Sequence, residues 1–466
     1  MDLKFNKDAS FVFLCIFGVT LLSYGQIFLP GYTPDDFLAG SAQLPPALYF
    51  AQGRFVEAIL VGILNTSHLS MFGVGFGFSG LVLLLYAGLI VVLLQNCVPA
   101  RFDRRLVLAA GMSVAASPLV ATLLSYRQTA FNLAACLLLL LYGIRCYQVF
   151  LRQPEAWGRA ITAVVCFAFS LGCYQIFISV IVLYFGCLSL CAVFENRRIP
   201  LGNLVVPLAS VALYCVIFAL TRNIAGENHW DDRGALLPLS AFGQRALEIR
   251  ASLAKVAGAR HGLGLLALVA LVPVGVQCAV SFRVYPKLTV LTVAVAACLC
   301  VVILFPAVSL TRWEPTPRMF LGCSFVVAFG VVWLCGLSGL FTRAGMVGLA
   351  GLALFSMMVS NMFLTEQIKE NRWDMAMATT LVVDVRTELG DRAPSTLFVV
   401  TGPVVHGHSS FRVGWSIPGI LHEAANADWT VGAPTADMQQ TCRTSPAFPL
   451  KGYLHILPNG GVLACL

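Results

Sequence analysis

The chain has 466 residues, of which 58% are hydrophobic and 11% charged, and its mean hydropathy is +0.83. Soluble chains carry roughly 25% charged residues, so a mostly soluble protein is excluded. Apolar runs of about 20 residues rule out a barrel, whose strands alternate over about 10 residues. The net charge of +8 does not point to nucleic acid, because its placement follows membrane topology.

The first apolar run, 11–29, contains no charge and is followed by no small-residue cleavage site, so it is expected to stay as a membrane helix. Further spans are predicted at 71–95, 106–124, 129–150, 160–173, 176–194, 203–221, 262–282, 288–309, 319–341 and 344–364. Every second short connection is basic: Lys4 and Lys7; Arg101, Arg104 and Arg105; Arg152 and Arg159; Arg197 and Arg198; Arg283 and Lys287; Arg343. The positive-inside rule puts those segments in the cytoplasm. The expectation is an α-helical polytopic membrane protein of about 11 spans, with its N-terminus in the cytoplasm and its C-terminus outside.

Two connections on the other side are long. The loop 30–70 opens on Gly31-Tyr32-Thr33-Pro34-Asp35-Asp36, and its stretch from Arg54 to Leu64 reads as a helix lying in the membrane surface. The loop 222–261 contains Arg245-Ala246-Leu247-Glu248-Ile249-Arg250, a second surface helix. Near residue 365 the composition changes. Residues 366–389 form an amphipathic pattern, and β-like runs follow at 396–401 and 453–457. The chain therefore divides into a transmembrane domain, 1–365, and a small extracytoplasmic α/β domain, 366–466. Fourteen of the sixteen cysteines lie in or beside spans; Cys442 and Cys465 are alone in the tail. In an oxidising compartment that pair is expected to form a disulfide that stabilises the domain by ~3 kcal/mol.

None of these spans has Lys, Arg, Asp or Glu in its middle third, whereas proton relays and ion-coupled transporters need ionisable groups at membrane depth. The charge unexplained by orientation gathers at the outward helix ends. Asp35 and Asp36 have two compatible readings. Thr33 as N-cap, Pro34 at the first helical position and Asp36 at the third make a strong helix start, and one carboxylate held there could act as general base toward an alcohol. Arg54, Arg127, Arg222, Arg312 and Arg318 come from five separate outward segments. Each could snorkel to lipid phosphate; converging, they would bind a phosphate and stabilise it as a leaving group. Glu57, Tyr174, Gln175 and Glu314 are candidate partners for sugar hydroxyls. His229, Asp231 and Asp232 have no diagnostic metal spacing, and His406 and His408 read as neighbours on a strand face. No phosphate-binding glycine loop, zinc motif or nucleophile elbow occurs.

On Asp35-Asp36, Gly53-Arg54 with Glu57, Ser170-Leu171-Gly172-Cys173-Tyr174-Gln175, Pro317-Arg318 and Asn371-Arg372-Trp373-Asp374, the chain resembles the Gtr-type serotype-converting O-antigen glucosyltransferases, membrane enzymes of the GT-C class. The resemblance implies a GT-C-like fold in a bacterial inner membrane. It implies a polyprenyl-phosphate sugar, usually glucose, as donor and a lipopolysaccharide O-antigen hydroxyl as acceptor. It carries a base role to Asp35 or Asp36 and phosphate binding to Arg54 and Arg318 before the other arginines. No cofactor is required, a divalent metal being left open. The competing expectations are a transporter or flippase for a lipid-linked glycan, and a non-catalytic receptor in which the two aspartates only cap a helix.

Overall fold

The computed structural model describes residues 7–41, 45–67, 69, 71–222, 237–256, 279, 282–283, 285–309, 317–338, 342–390, 392–402, 405 and 409–466. It is a helical membrane protein. Nine helical segments among the described residues are long and apolar enough to cross a membrane: Ala9–Phe28, Gly77–Cys97, Arg104–Leu124, Arg127–Arg152, Gln175–Phe194, Gly202–Arg222, Pro286–Ile303, Pro317–Leu337 and Thr342–Leu389. Of the remaining two expected spans, 160–173 falls in a helix of 17 residues, Trp157–Cys173. At 1.5 Å per residue that helix is about 26 Å long, a little short of a ~30 Å hydrocarbon core. The other, 262–282, falls almost wholly outside the described residues.

In chain order the first helices are α1 (Lys7–Tyr24), α2 (Pro34–Ser41), α3 (Pro46–Ala51), α4 (Phe55–Thr66) and α5 (Met71–Cys97). The next span is broken into α6 (Arg104–Ala115) and α7 (Pro118–Leu124). Pro118 lacks an N–H and drives Ser117 out of the helical region, to φ −54, ψ 126. The carbonyls freed by the break find side-chain donors: Tyr24 donates to Ser117 O at 2.8 Å and Ser360 to Ala116 O at 2.9 Å. In an apolar medium each such carbonyl left unpaired would cost several kcal/mol.

Then follow α8 (Ala130–Arg152), α9 (Trp157–Cys173), α10 (Ile178–Phe194), α11 (Gly202–Arg222), α12 (Phe242–Val256), α13 (Pro286–Ser309), α14 (Leu321–Ser338) and α15 (Thr342–Leu389). Residues 55–64 and 245–250 of the two expected stretches fall in short helices, α4 and α12. The amphipathic stretch 366–389 is not a separate helix. It continues the last span without interruption, because residues 352–389 contain no glycine or proline. The resulting helix of 48 residues is about 72 Å long, so it leaves the bundle as a rigid rod.

The end of that rod carries a four-stranded sheet. Its strands are β1 (Leu397–Val400), β2 (Val431–Gly432), β3 (Leu454–Ile456) and β4 (Val462–Cys465), in the order β2-β1-β4-β3. β1 runs parallel to β2 and β4, and β3 is antiparallel to β4. Two helices accompany the sheet, α16 (Ile417–Ala425) and α17 (Ala436–Thr444), and a disulfide joins Cys442 to Cys465. A core separate from that of the bundle unites Met377, Leu381 and Val385 of α15 with Leu397, Ile420, Leu421 and Val462. Phe37 of α2 belongs to this second core and is 0% exposed.

Candidate functional site

At α2 the helix start takes the form of a reciprocal cap. The Thr33 N–H and hydroxyl both donate to Asp36 Oδ2 at 2.8 Å, and the Asp36 N–H donates back to Thr33 Oγ1 at 3.3 Å. Asp36 Oδ1 accepts the Gln128 N–H at 2.8 Å, which ties the helix to the turn between α7 and α8. Asp36 is 1% exposed. Burial raises its carboxyl to about 6, while those hydrogen bonds and the nearby Arg127 keep it from rising further. Both oxygens of Asp36 are therefore engaged in holding α2.

Asp35, the neighbouring residue, is half-buried. It lies in electrostatic reach of Tyr49, Tyr126 and Arg318. The same end of the bundle brings together Arg54, Glu57 and Tyr174. Arg54 sits at the N-cap of α4; its Nη1 meets Glu57 Oε2 at 3.3 Å, and its guanidinium lies 4.7 Å from the centroid of the Tyr174 ring. Glu57 is 3% exposed. Burial raises its carboxyl, and Arg54 and then Arg318 act in the opposite direction.

Arg318 comes from the 3₁₀ turn Pro317–Phe320 at the head of α14 and stacks 3.8 Å from the centroid of the Tyr126 ring. It is in electrostatic reach of Tyr174 and Arg54 as well as Asp35. Among the described residues it makes no ion pair. Two guanidinium groups thus come within electrostatic reach of one another at one end of the bundle, each placed over a tyrosine ring where cation–π attraction acts. Among the described residues, one carboxylate, Glu57, is paired with them, through Arg54. Such an arrangement leaves room in its charge balance for an incoming anion.

Backbone geometry fixes Arg54. Gly53 has φ +73, in the left-handed region, and a methyl group there would stand 2.5 Å from the Tyr214 hydroxyl. Gln175, between α9 and α10, donates to Gln52 O at 2.7 Å and to Tyr214 Oη at 3.2 Å, so its amide ties this turn to α11. Gly172 lets the Phe55 ring lie directly on α9.

The structure separates the five arginines. Arg54 and Arg318 converge. Arg127 is 5% exposed beside Asp36 and donates to Leu29 O at 3.3 Å, away from the other two. Arg222 is exposed at the end of α11. Arg312 and Glu314 lie outside the described residues, as do His229, Asp231, Asp232, His406 and His408. Among the described residues no three His, Cys, Asp or Glu side chains gather as a metal site. Tyr49, Tyr126 and Tyr214 belong to the constellation although sequence reasoning passed over them. Tyr126 directly precedes Arg127 and Tyr49 lies five residues before Arg54; an aromatic so close to a cation at a helix end was the available signal. Compared with family models, with curated proteins and with solved structures, the chain gives no match.

Proposed function

We propose that the chain is a membrane glycosyltransferase of the GT-C class, moving a hexose, glucose by its resemblance to the Gtr-type enzymes, from a polyprenyl phosphate to a sugar hydroxyl of an O-antigen. On this reading it has eleven spans, resides in a bacterial inner membrane and carries its C-terminal α/β unit in the periplasm. The observation that carries the proposal is that Arg54 and Arg318, each over a tyrosine ring, lie within electrostatic reach of one another at one end of an apolar bundle, with the half-buried carboxylate Asp35 within reach of Arg318.

Asp35 is the base. Its neighbour Asp36 is buried, and both of its oxygens already accept hydrogen bonds from Thr33 and Gln128, which keeps it from an incoming hydroxyl. Asp35 removes the proton of the acceptor hydroxyl as that oxygen attacks the anomeric carbon of the donor. The bond from that carbon to the phosphate oxygen breaks in line, with inversion, and the electron pair leaves with polyprenyl phosphate. Arg54 and Arg318 stabilise the charge gained by the departing phosphate. Glu57 orients Arg54 and can reach a sugar hydroxyl as the pair opens, while the faces of Tyr126 and Tyr174 keep both guanidinium planes fixed.

Asp35→Asn and Asp36→Asn separate this reading from its rivals. With short-chain polyprenyl-phosphate glucose and O-antigen-bearing lipopolysaccharide, Asp35→Asn is expected to lower turnover by about 10²–10⁴ at unchanged protein level. A flippase or receptor would tolerate that change, and full transfer activity in Asp35→Asn would overturn the assignment of the base.

A further inference from the structure

Helix α2 is held from two directions. On the membrane side Asp36 binds the Gln128 N–H. On the opposite side Phe37, one residue on and two from Asp35, is wholly enclosed by the core of the C-terminal α/β unit. The fit is close. A methyl group built on Gly419 of α16 would collide with the carbonyl oxygen of Phe37, so α16 reaches the backbone of α2 only because position 419 has no side chain. Tyr32 packs edge-on against Phe37 with ring centroids 5.8 Å apart and lies in electrostatic reach of Glu423 on α16.

The turn Gly414–Ser416 also touches α2, and it is itself anchored. Ser409 Oγ donates to Asp374 Oδ1, the Ser410 N–H donates to Asp374 Oδ2 at 2.8 Å, and Ser416 Oγ donates to Ser410 O. Asp374 is 1% exposed and belongs to α15, the helix shared by bundle and sheet. A path of buried contacts therefore runs from the rod, through the 409–416 segment and α16, to the helix that carries the proposed base.

We propose that the C-terminal α/β unit is a positioning element of the active site, and that Phe37 and Gly419 are positioning residues that set the location of Asp35. The inference rests on the reading of Asp35 as the base. Transfer of a proton tolerates little displacement, since a misplacement of about 1 Å can cost a hundredfold in rate. Arg54 and Arg318 stand on α4 and at the head of α14, outside this path, so donor binding is insulated from α16 while turnover is not.

The test uses the full chain purified in detergent with the Cys442–Cys465 disulfide formed, assayed with short-chain polyprenyl-phosphate glucose and lipopolysaccharide. Phe37→Ala is expected to lower kcat at least tenfold with the donor KM within twofold of wild type, and Phe37→Leu to restore most of the loss. Gly419→Ala, which moves the backbone of α2 without removing a core side chain, is expected to show the same split, and it carries the test if Phe37→Ala does not fold. Ile456→Thr, on an exposed site of β3, should leave both parameters unchanged. Unaltered kcat in folded Gly419→Ala, or a parallel change in kcat and KM, overturns the positioning role while an inactive Asp35→Asn keeps the base reading intact. An active Asp35→Asn instead removes the base reading itself.

Discussion

At the scale of single residues, two adjacent aspartates have been given opposite environments by one helix start. Asp35 lies within electrostatic reach of Arg318 and of the Tyr49 and Tyr126 phenols; Asp36 is bonded to two backbone N–H groups and the Thr33 hydroxyl. Ionised Asp36 is costly because it is buried, so its proton is retained in the folded protein to about pH 6, against 3.8 in a free side chain. Between those values the folded chain binds more protons than the unfolded chain, and stability must fall as pH rises. Protonated Asp36 thus contributes stability that is fully present below about pH 4 and lost as pH passes 6. A shift of roughly two units corresponds to about 3 kcal/mol. We expect Asp36→Asn to flatten this dependence: the difference in unfolding free energy between wild type and variant should change by about that amount from pH 4 to pH 7 in detergent. Taking the difference removes other buried carboxylates such as Glu57, whose pKa is raised in the same direction. A variant that tracks wild type at every pH would show that Asp36 is ionised throughout. The helix start was readable in Thr33-Pro34-Asp35-Asp36, because a cap is a local device. The division of labour was not readable, since the Gln128 N–H that occupies Asp36 arrives from 92 residues away.

At the scale of elements, hydropathy revealed the long spans well, since a helix in lipid must be apolar over its length whatever it packs against. It also revealed the two short helices α4 and α12 through their charged edges. It missed the continuity of α15, where a change of composition at the membrane surface resembled a boundary although no breaker residue marked one. It also missed β4, whose four residues are all buried, since a central strand covered on both faces does not alternate. In the site, the element that matters most is the turn between α3 and α4. Gly53 adopts a left-handed conformation against the Tyr214 hydroxyl, and Arg54 follows immediately. An L-residue at φ +73 costs about 1–2 kcal/mol, and its methyl group would also push the turn off α11. Gly53→Ala is therefore expected to raise the donor KM about tenfold by moving Arg54 away from Tyr174, with a modest loss of stability. Intrinsic fluorescence titration with polyprenyl phosphate alone checks the binding effect without turnover. Unchanged affinity in the folded variant would mean that Arg54 does not contribute to phosphate binding. The variant tests the opposite side of the site from Phe37→Ala, so the two should differ in which kinetic parameter they move.

At the scale of the whole molecule, the two cores are coupled by one rod and one plug. The rod is α15, which passes from the bundle core to the sheet core without a joint. The plug is Phe37, which leaves the bundle's first loop to complete the sheet's core. This long-range closure was beyond sequence reasoning: nothing near Phe37 distinguishes it from other apolar residues of that loop, and its partners lie more than 300 residues away. The cysteines were different, because only two lie far from any span. Cys442 on α17 and Cys465 at the end of β4 are joined across a sequence separation of 23. Closing such a loop restricts the unfolded chain and stabilises the unit by about 3 kcal/mol. Substituting both cysteines by serine should accordingly lower the melting temperature of the sheet core while leaving the bundle's own helical signal intact. If the sheet core also holds α2 in place, the double variant should lose turnover at a lower temperature than it loses donor binding. The same interval should open in wild type treated with reductant, since both routes remove the same bond. Coincident loss of binding and turnover would mean that bundle and sheet unfold as one unit, and the plug would then act by stability alone.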